Sequence, residues 1–147
     1  MSVSYGKGKK GLATKLHSTL IRSLKECEAC DYQCPCIDDF NHTQGCKLQC
    51  AHIQGRTASL TRTALFNAFC LCASCHRKFT DKPLDFSRFV TTTWAQEYRD
   101  DLMRMSNTNY KMDWDYRYEV LKRYKKLLED GANLQIIRQS DFEITEL

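Results

Sequence analysis

All nine cysteines of this 147-residue chain lie between Cys27 and Cys75. No other feature constrains the fold as much. The basic N-terminus has no apolar core region, so no cleaved signal peptide is expected and the location is expected to be cytoplasmic. In a reducing compartment, clustered cysteines favour metal thiolates over disulfides. The odd count also leaves a disulfide framework one partner short.

Within the cluster, Cys27-x2-Cys30 and Cys72-x2-Cys75 are separated by 41 residues. Each pair puts two sulfurs at one tight turn, and two such pairs complete the tetrahedral shell that zinc prefers. Four thiolates leave no open position for water, so this zinc would be structural. A unit of about 60 residues buries little apolar surface, and the ion would supply much of its folding free energy. Cys50 and Cys70 sit in apolar strand contexts and are expected in the core. Cys34, Cys36 and Cys46, with His42 between them, can form a second Cys3His site; loose thiols in a loop are the preferred reading.

The length allows one domain, and 42% hydrophobic with 27% charged residues suits a soluble globular fold. No apolar run approaches the roughly 18 residues of a membrane span. Net charge is only +4, but residues 1–25 hold six Lys/Arg and residues 40–80 hold five, with no Asp or Glu in either stretch. Two acid-free basic stretches around a cysteine cluster point to a polyanion partner, most economically nucleic acid.

Residues 1–11 read as a basic flexible tail. From Leu12, the positions Leu12, Leu16, Leu20, Ile21 and Leu24 have helical spacing, with His17 on the surface of that helix. Residues 26–50 are irregular, 47–53 predict a strand, 54–66 a loop, and 68–72 (AFCLC) a second strand. ASCHRKFTD behind it starts a helix that ends before Pro83. Phe86, Val90, Trp94, Tyr98 and Leu102 then predict another helix. Tyr116, Val120, Leu121, Tyr124, Leu127 and Leu128 predict a third, stopped at Gly131. The tail from Asn133 is compatible with a strand or with disorder.

His52 ends the first strand, Asn67 precedes the second and His76 directly follows Cys75. In the text CKLQCAHIQGR and LFNAFCLCASCHRKFTDKP, this arrangement resembles the HNH endonucleases, the zinc-stapled branch of the ββα-metal nucleases, and within them small phage-type proteins. The resemblance implies an α+β fold: a treble-clef-like, zinc-stabilised ββα-metal core over residues 12–105, led by the basic helix. Residues 106–147 would be a helical extension with no assigned role.

By that resemblance the chain is a metal-dependent DNA endonuclease that nicks one strand. Phosphodiester hydrolysis needs a base for water and a cation on the developing charge. A neutral imidazole is the natural base at physiological pH, and His52 takes that role. His76 is carried over as a ligand of the catalytic divalent ion, Mg²⁺ or Mn²⁺, and Asn67 as the residue that braces the loop and orients His52. Arg56 and Arg62 are candidates for phosphate contacts, and Lys9 and Lys10 belong to the Lys7–Lys15 clamp on the DNA backbone. Many family members place Asp or His directly before the base, where this chain has Ala51. The ion would then have only His76 with substrate phosphate and waters, unless Asp38, Asp39 or His42 reaches in from the insert.

Phage-type relatives imply packaging or recombination proteins as partners, no membrane, and the host cytoplasm for a phage-encoded chain. The alternative is a non-catalytic zinc-stabilised nucleic-acid-binding module. A third reading has the aromatic C-terminal helices, with Trp94 and Trp114, docking a partner protein.

Overall fold

The computed structural model describes residues 6–36, 40–42 and 45–145. The expected reach of Asp38 or Asp39 toward a metal falls outside these residues, as do residues 1–5 of the N-terminal tail.

The first helix, α1 (Gly8–Arg22), starts four residues ahead of the expected Leu12 and takes in the Lys9–Lys10 part of the predicted tail. Its buried face is also rotated from the leucine stripe. Ala13, Thr14, His17, Leu20 and Ile21 are buried, whereas Leu12 is 46% exposed. Small residues at 11, 13, 14 and 18 let neighbouring backbone approach closely, and α1 is central to the fold: it packs against both strands and a later helix. His17 is therefore not a surface residue. It has no exposure, because it lies between Ala13 and the Leu20–Ile21 pair on the inward face.

β1 (Leu48–His52) and β2 (Ala68–Cys72) pair antiparallel, with Leu48 opposite Cys72, Cys50 opposite Cys70 and His52 opposite Ala68. All five residues of β2 are buried, as an unbroken apolar run requires. The loop between the strands holds a short helix α2 (Ser59–Arg62) and a 3-10 turn, Leu65–Asn67. Helix α3 (Ala73–Asp81) follows β2 without a linker, and α4 (Pro83–Thr93) has its proline in the first turn, where a missing N–H costs nothing.

The four-residue repeat from Phe86 to Leu102 is divided between α4 and α5 (Gln96–Ser106). Thr91, Thr92 and Thr93 turn their hydroxyls onto the carbonyls of Ser87 and Phe89, at 2.7–3.0 Å. Such bonds compete with the helix ladder. Trp94 leaves the helix in an extended conformation and stacks on Phe69, ring centroids 5.5 Å apart.

Helix α6 (Trp114–Glu129) is capped by Asp113, whose side chain accepts from the Tyr116 N–H. It ends at Gly131, where φ is +99°. There the Gly131 and Ala132 amides donate to the Leu128 and Leu127 carbonyls, the paired bonds of a left-handed glycine stop. The tail left open between strand and disorder is a helix, α7 (Leu134–Thr145), with Asn133 accepting from the Gln135 N–H at 2.7 Å. None of the helices among the described residues is long and apolar enough to cross a membrane.

The described residues form an α+β protein, mostly helical around one two-stranded sheet. The main core joins α1, the sheet, α4 and α6. A smaller one gathers Ala64, Phe66, Leu102, Met105 and Phe142.

Candidate functional site

The chain leaves α1 in a knuckle closed by the Cys27 N–H on the Tyr32 carbonyl, with the Ala29 N–H donating to Cys27 Sγ at 3.4 Å. This turn carries Cys27 and Cys30. Cys72 closes β2 and Cys75 lies in the first turn of α3, and the four sulfurs lie within 4.8 Å of one another. Cys30 and Cys72 are 3.7 Å apart, against the roughly 3.8 Å that tetrahedral zinc–thiolate bonds require. The donor set suits a closed structural zinc.

The expectation of loose thiols in the insert is overturned. Cys34, Cys36, His42 and Cys46 converge, also within 4.8 Å. His42 Nδ1 lies 3.3 Å from Cys34 Sγ and 3.2 Å from Cys46 Sγ, and the two sulfurs are 3.0 Å apart. This Cys3His group is compatible with a second structural zinc. Folding back through Pro35 and Gly45 (φ +94°) achieves what the unusual spacing hides.

Successive strand residues face opposite sides, so Gln49 and Ala51 face α3 while Cys50 and His52 face α1. Gln49 Oε1 accepts from His76 Nδ1 at 2.6 Å, which leaves the His76 lone pair on Nε2. His52 Nε2 lies 3.0 Å from the Arg62 carbonyl. A carbonyl only accepts, so Nε2 carries the proton and Nδ1 the lone pair. His52 sits at the strand's end and lines one cleft with His76, Ala51, Leu71, Phe79 and Phe86. Burial pushes His52 below the ordinary imidazole value; the Arg62 carbonyl opposes this and the Arg56 charge adds to it. Burial also lowers His76.

Asn67 is fully buried. Its Oδ1 accepts from the Gln54 N–H at 2.8 Å, and its Nδ2 donates to the carbonyls of Gln54 and Thr61 at 3.1 and 2.9 Å. The amide thus ties both arms of the loop whose Arg62 carbonyl receives His52. Arg62 itself is half-buried: Nε donates to Thr14 Oγ1 and Nη1 to the Arg56 carbonyl, both at 3.0 Å. Part of its fork therefore joins the loop to α1.

Lys9 and Lys10 are exposed on α1 with their ammonium groups over the rings of Tyr118 and Trp114 on α6, at 5.1 and 5.9 Å. A separate, mainly basic groove is lined by Lys47, by Arg77 and Lys78 of α3 with Asp81 beside them, and by Lys82 just past the helix.

Two supports went unseen in the sequence. Arg117 on α6 grips Asp141 on α7 at 2.7 and 2.9 Å and also donates to the Thr63 hydroxyl and carbonyl; Asp141 in turn accepts from the Leu65 N–H. Burial alone would depress Arg117, but the Asp141 carboxylate holds its guanidinium above the ordinary value. Arg138 on α7 binds Glu28 in the cysteine knuckle and the carbonyls of Leu65 and Ala68. The last two helices thus brace the loop that carries Asn67 and the Arg62 carbonyl. A sequence signal existed: Leu134, Ile137, Asp141 and Phe142 share a helical face. The charges within it masked the pattern.

No protein-family model matches this chain, and comparison with curated proteins and with solved structures returns no match.

Proposed function

We propose that the chain is a metal-dependent DNA endonuclease of the HNH type, built on a zinc-stapled ββα-metal core, with His52 as general base. One observation carries this reading. His52 and His76 line one cleft, and each has one ring nitrogen engaged by an acceptor and the other left with its lone pair. A base and a metal ligand each need such a lone pair.

In this reading His52 Nδ1 takes a proton from water as the water oxygen bonds to phosphorus. The bond to the departing 3′ oxygen breaks, leaving a 5′-phosphate, and that oxygen takes a proton from solvent to become a 3′ hydroxyl. The Arg62 carbonyl holds the ring in the required tautomer, and Asn67 holds the loop that presents that carbonyl. His76 is oriented through Gln49 and would ligate the divalent ion, with substrate phosphate and water completing the shell. Such an ion supplies positive charge to the phosphate as negative charge builds. The donor set is thin, since the residues lining the cleft include no carboxylate and Ala51 offers only a methyl group. A single imidazole suits Mn²⁺ better than Mg²⁺. The basic groove along α3 would track the DNA backbone without reading sequence.

Ala51 also favours a second reading, a zinc-held module that binds nucleic acid without cutting it. Relaxation of supercoiled plasmid by the full chain in Mn²⁺, Mg²⁺ and EDTA separates the two. Nicking that needs the ion, fastest in Mn²⁺, is expected. Salt-sensitive DNA binding with no nicking in either ion would establish the binding module instead.

A further inference from the structure

His17, Cys50 and His52 belong to neither cysteine cluster, yet their ligand atoms lie within 4.8 Å of one another. The cluster forms where α1 crosses β1. Cys50 and His52, two apart on the strand, face the same side, and His17 meets them from the helix with its ring centroid 5.1 Å from that of His52. His17 Nε2 lies 2.9 Å from the Ala64 carbonyl and therefore donates to it, just as His52 Nε2 donates to the Arg62 carbonyl. Both rings are thus held by backbone carbonyls of one loop, with the lone pair on Nδ1. A metal-bound histidine is commonly fixed by its second nitrogen in this way. His17 Nδ1 is already 3.9 Å from Cys50 Sγ, close to the roughly 3.6 Å between nitrogen and sulfur on one tetrahedral zinc.

We propose that His17, Cys50 and His52 form a third metal site, which takes zinc through the two Nδ1 atoms and the Cys50 sulfur. Binding exchanges the Cys50 thiol proton for the ion, and three protein ligands leave a fourth position for water. The site differs in kind from the two cysteine-rich clusters, which are closed. Its consequence rests on the reading of His52 as base: Nδ1 cannot hold zinc and also accept a proton from water. Free zinc therefore switches cleavage off while the structural ions stay in place.

The test counts zinc per chain after equilibrium dialysis of the full-length protein against buffered free zinc. It compares wild type with Cys50→Ala and His17→Gln, both checked for fold by circular dichroism. Glutamine at position 17 keeps a donor for the Ala64 carbonyl, so it provides a folded comparison should the alanine variant fail. Wild type is expected to hold one equivalent more than either variant; equal zinc content in folded proteins would overturn the site. In a parallel nicking assay, zinc should suppress wild type at concentrations at least about tenfold below those needed for Cys50→Ala, each relative to its own uninhibited rate. Equal sensitivity would overturn the inhibitory role. A wild type that never nicks overturns the nuclease reading and the inhibition with it, while the zinc count still decides the site.

Discussion

Arg138 donates through both terminal guanidinium nitrogens to the two carboxylate oxygens of Glu28, at 2.7 and 2.9 Å, and so fastens the last helix to the first cysteine knuckle. Arg138 is 2% exposed, and the same guanidinium also serves the carbonyls of Leu65 and Ala68. Glu28 in turn accepts from the Cys70 N–H at 2.7 Å, at the centre of β2. The pair joins α7, the knuckle and the sheet at one point.

Removing one member strands a buried charge. Arg138→Met should cost about 3–5 kcal/mol of folding free energy, read from urea unfolding of the zinc-loaded protein. The double variant with Glu28→Gln should recover part of that loss. A single-variant cost below about 1 kcal/mol, as for an exposed pair, would contradict the clamp.

The two cysteine clusters should be separable. Cys30→Ala and Cys46→Ala are each expected to release one zinc. Cys30→Ala should lower Tm more, because its cluster joins the knuckle to β2 and α3, whereas the Cys34–Cys46 cluster closes within one loop. Zinc content and thermal unfolding measure both effects. Unchanged zinc in either variant would remove that cluster from the account.

Asn67→Asp replaces an amide that donates to two carbonyls with a carboxylate that repels them. A destabilisation of about 1–3 kcal/mol should follow from the unmet buried groups. Nicking should fall about 10–100-fold through misplacement of His52, with zinc content unchanged. Wild-type nicking by a folded Asn67→Asp protein would show that the loop does not position the base.

The buried imidazoles set an acid sensitivity. Burial, then the neighbouring His52, hold His17 well below the ordinary value of 6.5. His52 is lowered as well. A folded state that resists protonation is stable above the unfolded pKa and loses stability as pH falls from about 6.5 toward the depressed folded values. Chemical unfolding between pH 7.5 and 5 should therefore show falling stability in wild type and a shallower fall in His17→Gln. Parallel slopes would mean that His17 titrates normally.

The two strands, the helix carrying Cys75, the Gly131 stop and the Cys27/Cys30/Cys72/Cys75 cluster were legible because each rests on local spacing or turn chemistry. His17 was not. A lone histidine on a basic helix looks solvated, and only its place between Ala13 and the Leu20–Ile21 pair marks it as inward. The Cys34–His42–Cys46 cluster depends on a loop folding back on itself, which spacing does not encode. Arg117, Arg138 and Asp141 escaped notice because buried charges break the apolar pattern by which a core helix is recognised; their partners lie far away in sequence at Thr63, Leu65 and Glu28. The Trp94 break was masked in the other direction, since its apolar repeat continues through a point where the threonine hydroxyls end the helix.

In the proposed reaction the role of base falls to His52 Nδ1. The most direct test of that role compares the single-turnover nicking rate of His52→Ala with that of wild type in Mn²⁺, on preparations matched for zinc content and secondary structure. Loss of a general base predicts a rate about 10²–10⁴-fold lower, with DNA affinity retained. Equal rates in the two proteins would contradict the account and place the chemistry elsewhere.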